Sequence, residues 1–163
     1  MLAEVEPLLK RNLPAGHIAF AVPAFDEALN AQAEGNLRKA LSLAETSNQA
    51  MIALAGKGRA PADYQGSSLA ACSGIEIPLG RADGALCDAS QAMALFQKAA
   101  LPGGFSADAG HAYLLRGRAL QAQGKREEAR AAFRAAAEDL EDTRGPKHPN
   151  TREACQLVAP SGQ

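Results

Sequence analysis

Residues 113–136 read YLLRGRALQAQGKREEARAAFRAA, and this stretch decides the fold. Tyr113, Gly117 and Leu120 stand before Gly124 at spacings of four and three, and Ala129, Phe133 and Ala136 follow it at the same spacings. Those intervals keep each trio on one face of a helix. A glycine directly after a helical run is the usual residue for the left-handed turn that stops one helix and lets the next fold back. The stretch therefore predicts a helical hairpin.

Working outward, the same pattern recurs. Gly35 and Gly80 precede Gly124 at intervals of 45 and 44 residues, each with helical periodicity on both sides. Five residues after these glycines stand Ala40, Ala85 and Ala129; nine after them, Ala44, Ala89 and Phe133; twelve after them, Ser47, Ala92 and Ala136. Seven before them are Ala28, Ser73 and Gly117, and eleven before them Ala24, Leu69 and Tyr113. Small residues recur where paired helices must approach closely, and self-similarity at such a period signals a repeat array. Turn-forming residues at 12–16, 56–63, 101–106 and 145–150 separate three segments of similar length. Helices are expected near Ala3–Arg11, Ile18–Glu34, Leu37–Leu54, Tyr64–Leu79, Ala82–Ala100, Asp108–Gln123, Arg126–Thr143 and Thr151–Val158. Pro23 should kink or displace the start of its helix, and Pro78 should end its own.

Composition agrees. Among 163 residues, 37 are alanine, whereas valine, isoleucine and threonine together number ten, so helix formers far outnumber strand formers. With 17 basic and 18 acidic side chains and 4% aromatic residues, the chain has neither the field nor the stacking platforms of a general nucleic-acid binder. No run of 18 apolar residues occurs, and Glu4 and Glu6 sit where a secretory signal carries basic residues. Cys72, Cys87 and Cys155 lack metal-ligand spacing and cannot all pair within one chain. A cytoplasmic protein with no membrane partner and no cofactor is expected.

Tyr113, Gly117, Leu120, Gly124, Ala129, Phe133 and Ala136 give the order aromatic, small, leucine, turn glycine, alanine, aromatic, alanine, and in this they resemble the tetratricopeptide repeat. Arg116 replaces the family's leucine, and the first two repeats carry alanine, serine or glutamate in several large-residue slots. The long period is similar to the variant in kinesin light chains and in carboxy-terminal arrays of bacterial serine/threonine kinases, where a Gly-Pro-x-His-Pro-x-Thr loop joins repeats. Gly145-Pro146-Lys147-His148-Pro149-Asn150-Thr151 reproduces that loop, and Leu13-Pro14-Ala15-Gly16-His17 is a weaker version. The resemblance implies an all-α, right-handed α-solenoid of about three antiparallel helix pairs with flanking helices. Its repeats would span about 13–58, 59–104 and 105–147, with a capping helix at 148–158 and a tail at 159–163. Residues 1–12 would be a cap or the remnant of a preceding repeat. The apolar face of Leu2, Val5, Leu8 and Leu9 there gives an expectation of self-association.

Catalytic signals are weak. His17, His111 and His148 stand apart from any His-Glu-x-x-His, paired cysteine or carboxylate cluster. Cys72 occupies a core slot, and the basic residue nearest to Cys155 before it is Arg152. Gly56-Lys57-Gly58 and Gly103-Gly104 do not match a phosphate-binding loop, and Lys125, Arg126, Arg130 and Arg134 are interleaved with Glu127, Glu128 and Glu138 as on a solvated helix face.

The surface remains. In the family the first helix of each pair lines the concave side, so the resemblance places Val22, Phe25, Leu29 and Gln32 there from the first repeat. Ala70, Gly74 and Ile77 follow from the second, and His111, Leu114, Arg118 and Gln121 from the third. None of these is the lysine or asparagine with which family members clamp a terminal carboxylate. The function implied is non-catalytic binding of a protein or peptide in bacterial signalling or scaffolding. Phe25, Leu29, Ile77, Leu114 and Arg118 would form the site, with Arg118 orienting an acidic flank. Alternatives are a structural or autoregulatory segment of a larger tetratricopeptide-containing serine/threonine kinase and, more remotely, a thiol or histidine hydrolase. The hydrolase requires two of Cys72, Cys155, His111 and His148 to converge.

Overall fold

The computed structural model describes residues 21–56, 62–99 and 106–159, together with Pro7, Arg11, Asn12 and Ala19. Nearly all of the expected amino-terminal helix, the loop at Leu13–His17 and the tail beyond Ala159 lie outside the described residues. Within them the chain is all-helical. The helices are α1 (Val22–Ala33), α2 (Leu37–Ala55), α3 (Ala62–Glu76), α4 (Ala82–Ala99), α5 (Ala107–Ala122), α6 (Arg126–Arg144) and α7 (Pro149–Val158). No helix among the described residues is long and apolar enough to cross a membrane.

The three turn glycines act alike. Gly35, Gly80 and Gly124 have φ of 78°, 75° and 78°, a region in which a side chain is strained. After α1, Gly35 N–H donates to the Gln32 carbonyl at 3.0 Å and Asn36 N–H to the Ala31 carbonyl at 2.8 Å. The same pair of bonds closes the turn at Gly80, from Gly80 to Ile77 and from Arg81 to Glu76, and at Gly124, from Gly124 to Gln121 and from Lys125 to Leu120. This is the Schellman arrangement, which satisfies the last carbonyls of one helix while reversing the chain. α3 stops sooner before its glycine than α1 and α5 do, at Glu76 and three residues before the expected Leu79, because Pro78 inside the turn has no N–H with which to continue the helix. At the other end of its hairpin, Pro23 occupies the first turn of α1, where its missing N–H costs nothing, and the helix starts at Val22.

The recurring small slots are all buried: Ala28, Ser73 and Gly117 before the turns, and Ala40, Ala85 and Ala129 after them. A further pair of slots emerges from the packing. Ala21, Gly66 and Gly110 stand fourteen residues before the turn glycines, and Met51, Phe96 and Leu140 sixteen after them. A Cβ on Gly66 would lie 2.6 Å from Phe96 Cε1, and one on Gly110 would lie 2.9 Å from Leu140 Cγ. In the second and third hairpins a small residue on the first helix thus receives a large one from the second. Gly117 does the same for Phe133, whose ring fills the space where a Cβ would stand.

Three apolar clusters result, and each spans a hairpin and the next helix. The first joins Ala28, Ala31, Ala40, Leu41 and Ala44 to Cys72 and Ile75 of α3. The second joins Leu69, Ala89, Ala92 and Phe96 to Ala109, Ala112 and Leu115 of α5. The third joins Leu114, Leu120, Ala129, Phe133 and Leu140 to Ala154 of α7. Every helix packs on its neighbours in sequence, and α1 touches α3, α3 touches α5, and α5 touches α7. Buried hydroxyls tie the two halves of a hairpin together: Ser47 Oγ donates to the Ala21 carbonyl at 3.2 Å and Ser73 Oγ to the Ala85 carbonyl at 2.8 Å.

The Gly145–Thr151 loop has structural work at several positions. Gly145 ends α6 with φ of 80°. His148 is the N-cap of α7, its Nδ1 accepting from Asn150 N–H at 3.2 Å, and Pro149 begins the helix. Thr151 Oγ1, fully buried, donates to the Leu140 carbonyl at 3.2 Å, so the loop fastens α7 onto α6.

Candidate interaction groove

The contacts between α1, α3 and α5 leave a groove of about 380 Å³ along one side of the three first helices. Phe25, Leu29 and Gln32 of α1 form one wall, and Asp108, His111, Leu115 and Arg118 of α5 the other. Ser67, Ala70, Ala71 and Gly74 of α3 lie between them, where small side chains keep the space open. Leu29 is 42% exposed, whereas the other leucines among the described residues are buried or half-buried. A Cβ on Gly74 would meet Leu115 Cδ2 at 3.6 Å and Gln32 Nε2 at 3.9 Å, ordinary contacts, so a larger residue there would fill the groove.

The charged groups are already partnered within the chain. Arg118 Nε donates to Glu153 Oε1 of α7 at 2.6 Å, and its Nη2 pairs with the same oxygen. Arg144 Nη2 lies 3.9 Å from Asp108 Oδ1. Both pairs are partly exposed, so each contributes at most about 1 kcal/mol to stability. Between them, burial and then the guanidinium charges of Arg118 and Arg144 hold His111 below the usual histidine range, with Asp108 and Glu153 partly opposing. The α5 wall therefore presents a neutral imidazole flanked by two closed ion pairs at neutral pH.

Of the five expected site residues, Phe25, Leu29 and Arg118 line this groove, and two do not. Leu114 is 1% exposed and belongs to the cluster that includes Ala154, because α7 covers that face of α5; its neighbour Leu115, also buried, joins the second cluster and underlies the groove. Ile77 follows the end of α3 and is half-buried against the second apolar cluster, so its side chain serves the core and not the groove. Arg118 is in place, but its fork already holds Glu153.

Sequence reasoning missed Phe96, a buried ring of α4 that packs over Gly66 and underlies the groove. A signal existed: Gly66 and Phe96 recur as Gly110 and Leu140 at the same offsets.

Among the described residues, the thiols and imidazoles named above stand apart from one another. Cys72 is buried and its thiol is pushed up to about 12, first by burial and then by the carboxylates of Asp88, Glu76 and Glu45. No hydrogen bond joins two of Cys72, Cys155, His111 and His148, and no cluster of three metal-ligating side chains occurs among the described residues. No protein-family model matches the chain, and no curated protein matches it significantly.

Proposed function

We propose that this protein is a tetratricopeptide-like interaction module, a right-handed solenoid of three hairpins closed by α7, which binds a protein or peptide segment along α1, α3 and α5. The observation that carries the reading is the convergence of the first helices of three hairpins on one open groove, with Phe25 and Leu29 as its accessible apolar surface and the buried Phe96 and Leu115 beneath it. Support for the solenoid comes from the three matching Schellman turns and from cores shared only between adjacent hairpins, the arrangement of a quasi-one-dimensional repeat protein. Burial of each apolar partner side chain would contribute about 1.5 to 3 kcal/mol. The bound segment is expected to be apolar and extended or helical. Its preference for an acidic flank is weakened because Arg118 already serves Glu153.

Selection of random displayed peptides on the immobilised protein tests this. An apolar consensus should be enriched on the wild type and lost on Leu29→Asp and on Gly74→Leu, both of which should still melt cooperatively. Absence of enrichment, or enrichment unaffected by both variants, refutes groove binding. The closed ion pairs on α5 favour a second reading, a structural segment whose groove takes no partner, and that reading predicts no enrichment.

A further inference from the structure

Glu76 occupies a place that the other hairpins give to apolar residues. Its carbonyl accepts from Arg81 N–H in the Schellman turn, and the residues doing the same in the first and third hairpins are Ala31 and Leu120, both buried. Glu76 is buried as deeply, at 4% exposure. One carboxylate oxygen, Oε1, lies 3.3 Å from Arg81 Nε, whereas Oε2 is buried without a hydrogen-bond partner. Arg81 is itself half-exposed and divides its guanidinium between Glu76 and Glu45, whose Oε1 is 3.8 Å from Nη1.

The chain makes room for this carboxylate. A Cβ on Gly84, in the first turn of α4, would lie 2.6 Å from Glu76 Oε1 and 2.7 Å from Oε2. Four residues after the other turn glycines stand Lys39 and Glu128, so only the hairpin with an acid in the buried slot has glycine opposite it. The ionisable groups acting on Glu76 are Glu45 of α2, Asp88 of α4 and Arg81 of the turn, with the neutral Cys72 thiol one helical turn earlier on α3. Two further carboxylates thus surround the pair, against one guanidinium.

We propose that Glu76 makes the α3–α4 turn an acid-strengthened latch, so that the second hairpin closes more firmly as pH falls from neutral. Protonation replaces a half-paired buried charge by a neutral acid in a slot that is apolar in the hairpins on both sides. Burial, then Asp88, and finally Glu45 raise Glu76 above the usual carboxylate range, and Arg81 only partly opposes them. The unfolded chain ionises in the ordinary range, so between the two values the folded state holds more protons. Stability from this group is full below the unfolded value and is lost as pH rises through the folded one. Asp88 is raised too, by burial and Glu45, and adds in the same direction.

Thermal melting of the full chain and of Glu76→Gln and Glu76→Leu, at about pH 5 and about pH 7.5, tests the latch. Glu76→Leu places in the slot the residue found in the third hairpin, and guards against a poorly seated amide in Glu76→Gln. At least one variant should melt above the wild type at the higher pH, by about 3 °C or more, and the difference should narrow at the lower pH. If neither variant exceeds the wild type near pH 7.5, or the difference does not narrow toward pH 5, the proposal fails.

Discussion

The second and third hairpins share one backbone plan and solve its interior differently. In the third, glycines receive apolar groups: Gly117 takes Phe133, Gly110 takes Leu140, and Leu120 fills the slot beside the turn. In the second, Gly66 likewise takes Phe96, but the slot beside the turn holds Glu76, and Gly84 yields space to its carboxylate. Identical backbone turns therefore carry opposite chemistry, because the Schellman bonds use only main-chain groups and place no demand on the side chain they bury. What differs is hydration. An apolar knob is favoured in the interior at every pH, whereas a carboxylate there depends on its proton and on Arg81. The half-buried imidazole of His111, in the third hairpin, responds to acid in the opposite sense.

The comparison can be broken at the third hairpin first. Phe133→Ala would empty the space against Gly117 that no neighbouring Cβ can occupy, and should cost about 3 to 5 kcal/mol in denaturant unfolding. A loss under about 1 kcal/mol would mean that the ring is not the anchor of this core. Ala129→Phe should overpack the adjacent crossing and cost about 1 to 3 kcal/mol, read as a lower melting temperature. An unchanged midpoint there would discredit the repeat register.

A sharper comparison comes from the second hairpin. Alanine exceeds glycine in helix propensity by about 1 kcal/mol, yet in the wild type Gly84→Ala must displace the Glu76 carboxylate and should destabilise. In a Glu76→Ala background the same change should stabilise. A double-mutant cycle should show coupling of about 0.5 to 3 kcal/mol, and additive effects would separate the two residues. The smallest effect concerns His111. Its folded pKa is depressed, so its contribution is lost as pH falls from the ordinary histidine value through the folded one. His111→Gln should therefore gain melting temperature relative to the wild type on acidification, the reverse of Glu76→Gln. Parallel melting profiles for wild type and His111→Gln would show that the imidazole is not held neutral.

Much of this architecture was legible from the residues. Helical spacing on either side of Gly35, Gly80 and Gly124 identified the three hairpins, and the alanines five residues later marked the close crossings. Pro23 marked a helix start, and the Gly145–Thr151 loop marked a junction. The groove was legible only in part. Phe25, Leu29 and Arg118 fall on it, but Leu114 and Ile77 do not, and the reach of Phe96 past Gly66 was overlooked although its spacing repeats.

The division has a physical cause. Helix identity, turn position and the small slots within a hairpin depend on φ at a glycine, on 3.6-residue periodicity and on residues close along the chain, all of which the sequence by itself determines. Which stripe of a first helix meets solvent depends on how the next hairpin and α7 lie against it. The tertiary structure alone decided that Leu114 joins the third cluster while Leu115 joins the second, that Arg118 finds Glu153 thirty-five residues away, and that Glu76 loses its water. Those outcomes follow from packing between layers, where a rotation of one residue's angular step moves a side chain from one apolar cluster to another.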